Sequence, residues 1–233
     1  MTGPRVGTRL RQVALVARRL APVTEQLERG LGVHDPFRDP GVGEFGLENA
    51  VYAVGSDFIE VVAPITTYTA AERYLDRRGG DAGYMALLQV PDMERARSRL
   101  ADLGIRVVWQ VDFPDMAGTH LHPKQVPGAI VSLDWADPPT SWRWGGPDWE
   151  TRATTAPAGI AGLTVATLDP QAAARAWAAV LDAFASGTSV SLDGGAQAID
   201  FVPAADETAE GITEVVLSGW DREPVVVAGV VFR

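Results

Sequence analysis

The sequence predicts an α+β protein assembled from three similar units, each a strand, a helix and about three further strands. Three observations predict it. A strand–helix pattern recurs three times at nearly one length, β-rich and turn-punctuated sequence follows every helix, and 46% apolar with 21% charged residues argues for packed cores over disorder.

The first unit opens with the apolar run 12–17 (QVALVA), which has strand character. A helical pattern follows, with Val23, Leu27 and Leu31 on one face and Gly32 as its stop. The second unit repeats this with strand 85–90 (MALLQV), Pro91 and Asp92 opening a helix, and Met93, Ala96, Leu100 and Leu103 before Gly104. The third has strand 163–168 (LTVATL), Asp169 as N-cap, Pro170 at the first helical position, and Ala173, Trp177, Val180 and Leu181 on one face. The strand-to-helix-end offsets are 20 (Gln12 to Gly32), 19 (Met85 to Gly104) and 19 (Leu163 to Asp182). After the helices come β-rich stretches at 50–64, 107–135 and 190–232, broken by Gly55, by 123–128, and by Gly194 and Gly195. The first two units end alike: Glu60 and Asp134 each stand four residues before a proline, Pro64 and Pro138.

This divides the chain into residues 1–138, holding two units at about 9–66 and 83–138, a Trp/Pro-rich linker at 139–158, and a third unit at 159–233. The linker carries Trp142, Trp144 and Trp149, and so much aromatic surface is expected to dock on the first two units.

Composition removes several classes of function. With no cysteine, disulfides, thiolate catalysis and Cys-ligated zinc are excluded. A net charge of −10 disfavours nucleic acid as a partner. No signal peptide and no run of 18 apolar residues is found, so the expectation is a cytoplasmic protein without a membrane partner.

Tandem units with a short first strand, a helix ending in Leu-Gly, and a last strand ending in an acidic residue and a proline resemble the vicinal oxygen chelate superfamily (glyoxalase, bleomycin resistance, dioxygenase). The resemblance covers roughly 9–138 well and 159–233 more weakly. His122-Pro-Lys124 and the run 128–134 are similar to the final hairpin of methylmalonyl-CoA epimerase-like and other glyoxalase-like members. It implies tandem βαβββ modules closing into a cup-shaped mixed sheet around a small-molecule ligand and one divalent metal ion, with no nucleotide cofactor, and often a homodimer. The ligand places map onto Gln12, Glu60, Met85 and Asp134.

Gln12, Glu60 and Asp134 offer hard oxygen donors suited to Mg²⁺, Mn²⁺ or Fe²⁺, whereas the Met85 thioether is a soft, weak ligand. Two readings stay open: the metal is lost and the cup only binds, or His120 or His122, two apart on one extended face, replaces the missing ligand. The absence of the family's histidine pair argues against extradiol dioxygenase chemistry. Leu163 stands at the ligand place of the third unit, so no metal is expected there.

Glu60 and Asp134 lie within apolar strands, and a buried carboxylate needs a partner. Against the functional roles stand plainer ones: Gln12 as a sheet-edge polar residue, and His120 and His122 as hydrogen-bonded hairpin residues. His34 is expected in a turn, Tyr84 on the face opposite Met85, and Arg73, Arg77 and Arg78 at a solvated helix end. The functional expectation is a glyoxalase-like protein, a metal-assisted isomerase or lyase acting on a small molecule. Glu60 and His122 would be catalytic, His120, His122 and Ser132 would contact substrate, and Gln12, Glu60 and Asp134 would hold metal. The alternative is a non-catalytic sequestering protein of the bleomycin-resistance type with a degenerate metal site, so whether the chain is an enzyme stays open.

Overall fold

The computed structural model describes residues 7–233. The first unit supplies strand β1 (Arg9–Val16), helix α1 (Leu20–Leu31) and strands β2 (Leu47–Val54) and β3 (Asp57–Pro64). Helix α2 (Ala70–Arg78) leads to the second unit: β4 (Ala82–Gln89), α3 (Met93–Asp102), β5 (Val107–Asp112), β6 (Met116–Leu121) and β7 (Ile130–Ala136). These strands form one seven-stranded sheet in the order β2-β3-β1-β4-β7-β6-β5. Within each unit the first and last strands pair in parallel, and the two first strands, β1 and β4, meet antiparallel at the centre.

The third unit departs from expectation. Strand β8 (Ile160–Thr167), helix α4 (Pro170–Leu181) and strands β9 (Phe184–Ser186), β10 (Ser189–Leu192) and β11 (Gln197–Pro203) already complete a strand–helix–three-strand unit. Beyond it, β12 (Gly211–Leu217), β13 (Val225–Val227) and β14 (Val230–Phe232) repeat the pattern of a first strand paired in parallel with a last one, without a helix. The second sheet, β13-β14-β12-β8-β11-β10-β9, thus mirrors the first. Residues 218–224, which join β12 to β13, are too few for a helix of useful length.

The two sheets share one core. One face of the first sheet, including Val13, Leu15, Ile59, Leu88 and Leu133, packs with α1, α3 and α4 and with Leu163, Val165, Ile212 and Phe232 of the second. Helix α1 buries Leu20, Val23, Leu27 and Leu31 there, each contributing roughly 1.5–3 kcal/mol by apolar burial, and ends at left-handed Gly32. It also covers the helix-less fourth unit: a Cβ at Gly30 would come within 2.6 Å of Val225 of β13. Asp92 and Asp169 cap α3 and α4 by accepting from the amides of Arg95 and Ala172 at 2.9 and 2.8 Å. Leu103, expected on the buried face of α3, follows the helix end and is exposed.

The other face of the first sheet is the cup, and both its ends are plugged. At one end α2 lays Ala71, Tyr74 and Leu75 on Val16, Leu47 and Val62. Arg78, expected in solvent, donates from this helix to the carbonyls of Thr208 and Glu210. Tyr84, expected on the face away from Met85, packs with it, because a register break between Ala14 and Leu15 shifts the pairing of β4.

At the other end the tryptophan-rich segment closes the cup. Trp142 stacks on Phe58 at 6.1 Å and Trp149 meets the same ring edge-on at 5.1 Å. A second break in β1, between Leu10 and Gln12, leaves Arg11 and Gln12 both reaching into this end. Arg11, 1% exposed, donates to Gln89 Oε1 at 2.8 Å and to the Thr140 carbonyl at 3.0 Å, with its guanidinium 5.2 Å from the Trp142 ring. Burial first, then the charge of Arg9, lowers its pKa to about 10. The segment approaches closely because Gly145 has no side chain: a Cβ there would lie 2.3 Å from the Phe58 ring.

Candidate functional site in the first cup

Strand register fixes where each expected site residue stands. One row across the cup face runs Val51, Glu60, Ala14, Met85, Ile130. The next runs Ala53, Phe58, Gln12, Leu87, Ser132, His120, Trp109, and a third joins Gln89, Asp134 and Gly118. Glu60 and Asp134, expected at equivalent places, therefore stand three strands and four residues apart, roughly 14 Å across and 13 Å along the sheet. They share a face but not a centre.

The structure brings Gln12 and Glu60 together, and each is used up by its neighbours. Glu60 Oε2 accepts from Gln12 Nε2 at 2.8 Å, and Oε1 accepts from Asn49 Nδ2 at 2.6 Å. Gln12 Oε1 accepts from the Trp142 indole at 2.7 Å. Burial raises the Glu60 pKa, and the two amide hydrogen bonds oppose the shift. This arrangement does not fit a divalent ion: the oxygens expected to ligate it point at N–H donors, and Met85, half-buried in the Glu60 row, offers only sulfur. Among the described residues no group of three or more His, Asp or Glu gathers where it could hold a metal.

Asp134 belongs to a second cluster. It is 1% exposed, and its Oδ1 accepts from the Trp144 indole at 2.9 Å. Its Oδ2 has no partner, nor does the buried Ser132 hydroxyl two residues earlier on the same face. Burial drives the Asp134 pKa to about 7; Ser132 and Trp144 lie close enough to oppose this, although the Ser132 hydroxyl makes no hydrogen bond of regular geometry. Opposite Asp134 on β6, Gly118 makes room for the cluster. A Cβ there would sit 3.2 Å from Asp134 Oδ1 and 3.3 Å from each of the Trp109 and Trp144 rings.

His120 is on the cup face, half-buried, with Trp109 at 4.4 Å and Phe45 at 6.4 Å. Burial lowers its pKa to about 4, so the ring is neutral at physiological pH. Phe45 and Glu44 come from the turn Pro40–Phe45, which reaches across to β5, where Trp109 donates from its indole to Glu44 Oε1 at 2.9 Å. His122 lies outside this cluster in the turn after β6, where its Nδ1 accepts from the Lys124 amide at 3.3 Å. No hydrogen bond joins it to Glu60, Ser132 or Asp134 among the described residues. His34 is exposed beside Asp35, as expected of a turn residue.

Asn49, Trp109, Gly118 and Trp144 are site residues that sequence reasoning did not assign. Asn49 carried a signal, being the polar residue with apolar neighbours two positions away on both sides, Leu47 and Val51. Gly118 carried none.

With this geometry, a family model described as a glyoxalase-like domain matches residues 13–181. The chain belongs to the glyoxalase-like domain family. The match runs through both units of the first sheet, the tryptophan-rich segment, and the first strand and helix of the third unit. This glyoxalase-like chain, of the vicinal oxygen chelate superfamily, also superposes on solved structures. One is a Streptomyces coelicolor methylmalonyl-CoA epimerase in complex with 2-nitronate-propionyl-CoA, at TM-score 0.50 and 16% identity over 56% of this chain and 98% of that one. A methylmalonyl-CoA epimerase in complex with methylmalonyl-CoA and NH4+ gives 0.50 and 17%, over 55% and 94%. At these identities the likeness is one of fold. A search of curated proteins finds no match. Among the described residues no helix is long and apolar enough to cross a membrane.

Proposed function

We propose that this glyoxalase-like protein binds and sequesters a small molecule in its first cup without a metal ion, the ancestral metal place having become a structural plug. The observation that carries this is the closed network of Asn49, Glu60, Gln12 and Trp142, in which each carboxylate oxygen and the Gln12 carbonyl accept a hydrogen bond from protein. An ion there would have to break these bonds and leave buried N–H groups unsatisfied. Beyond the plugged end, where Arg11 Nε is unpaired, the cup keeps unpaired polar groups at the Ser132–Asp134 cluster, and ligand contact is assigned there, with His120 as a neutral wall. Glu60 and Gln12 then position the tryptophan-rich segment, and His122 stays outside the chemistry.

A second reading rests on a separate observation. A carboxyl group whose pKa stands near 7 can take and return a proton at neutral pH, so Asp134 suits a metal-free isomerase or lyase step next to a carbonyl. A cytoplasmic location, expected from the sequence, and a homodimer, implied by the family resemblance, complete the proposal; cell fractionation and light scattering test them.

The deciding experiment is elemental analysis of protein purified without chelator, together with thermal denaturation in Mn²⁺, Ni²⁺ and Zn²⁺. The proposal expects less than about a tenth of an equivalent of metal and no upward shift of the midpoint. Stoichiometric metal, or stabilisation that Glu60→Gln removes, would overturn it.

A further inference from the structure

The buried carboxylates of the first sheet differ in one respect. Asp57 pairs with Arg9 and accepts from the Ile160 amide, and Glu60 accepts two amide hydrogen bonds. Asp134 has one indole and no cation: no Arg, Lys or His forms an ion pair with it among the described residues. An uncompensated charge in such a place is costly, and the cost disappears when a cation with hydrogen-bond donors occupies the space beside it.

The surroundings specify that cation. Two orphaned polar atoms, Asp134 Oδ2 and Ser132 Oγ, lie on alternate residues of β7 and so face the same way. The rings of Trp109 and Trp144 converge beside Asp134, both within 3.3 Å of the point where a Gly118 side chain would begin. Aromatic rings beside a carboxylate favour an organic cation over a hydrated metal ion. Asp134 Oδ2 can only accept while ionised, and the Ser132 hydroxyl can accept or donate, so the site calls for an N–H donor, which a quaternary ammonium lacks. Phe45, edge-on to Trp109 at 5.6 Å, adds apolar surface for the remainder of such a molecule.

Resting on the reading of the cup as a small-molecule site, we infer that the Ser132–Asp134 pair receives the primary ammonium or amidinium group of a small aromatic molecule, with Trp109 and Trp144 flanking the cation. Access requires the Trp109 side to open, because both orphaned atoms are shielded from solvent. Trp109 stands on β5, the edge strand of the sheet, and Glu44 tethers it through an exposed hydrogen bond, so a rotation of that side chain opens the site without unfolding the strand.

The test is calorimetric and fluorescence titration at pH 8 with 2-phenylethylamine and benzamidine, against the neutral 2-phenylethanol and the anionic phenylacetate. At least tenfold tighter binding of the two cations is expected, with indole emission changing on binding. Asp134→Asn should reduce that preference to less than about threefold while the protein stays folded by circular dichroism, and Ser132→Ala should weaken benzamidine several-fold. Failure of both cations to bind, or equal binding of the alcohol, would overturn the inference. If phenylacetate or the alcohol binds and is excluded by Trp109→Ala, the cup remains a small-molecule site and only the ammonium class is wrong. If none of the four binds while Mn²⁺ does, the metal-free reading itself fails.

Discussion

Asp134 carries the sharpest consequence at the level of single residues. Burial pushes its carboxyl pKa up to about 7 in the folded protein from the ordinary aspartate value of 3.8, so between those pH values the folded chain holds a proton that the unfolded chain has lost. Its contribution to stability is therefore fully present below about pH 4 and is lost as pH rises through 7. Asp134→Asn should be more stable than the parent at pH 8, by on the order of a few kcal/mol, with the difference vanishing near pH 4. Denaturant midpoints of both proteins across that range check this, and a gap that widens toward low pH would count against it. His120 acts in the opposite sense: with its pKa lowered to about 4 it supports the fold above 6.5 and loses that support as pH falls. Both proteins contain it, so it cancels in the difference. Glu60→Ala should lower the unfolding midpoint, since it strands the buried Asn49 and Gln12 donors at about 1–3 kcal/mol each.

Among elements, the tryptophan-rich segment decides whether the cup has an open end. Gly145→Val should lower the thermal midpoint by several degrees and redshift tryptophan emission, because a Cβ at that position already collides with Phe58. An unchanged emission maximum would mean that the segment does not dock as described. The helices α1, α3 and α4 were legible in the sequence to within a residue or two, since apolar spacing and the caps Asp92, Asp169 and Gly32 are local signals, whereas α2 was legible only as a helix end. Strand faces were harder. The register breaks of β1 and β4 move Arg11 and Tyr84 onto the cup face, and a rule of strict alternation cannot see a bulge. Asp134 was misplaced for another reason: four residues before a proline looked equivalent to Glu60, while the parallel register of β4 with β7 sets it beside Gln89, two residues past the counterpart of Glu60.

At the scale of the whole molecule, the two sheets mirror each other around a shared core, and α1 of the first unit covers the second sheet where its own helix is missing. The chain should therefore unfold in one cooperative transition, and residues 1–138 alone should fail to fold, because their back face would expose Leu10, Val13, Leu88 and the apolar sides of α1 and α3. Two separated calorimetric peaks, or a stable 1–138 fragment, would contradict this. The fourth, helix-less unit was not legible, since a strand without its helix leaves no periodic partner in the sequence. The repeat itself was legible, and it located the sheet that holds the site.

The central claim is that the metal place of the first cup is sealed by its own hydrogen bonds. Electron paramagnetic resonance of Mn²⁺ titrated into the protein tests it most directly. The account predicts that the free-ion signal grows in proportion to added Mn²⁺ from the first addition. Loss of signal up to one equivalent, restored by Glu60→Ala or Gln12→Ala, would contradict it.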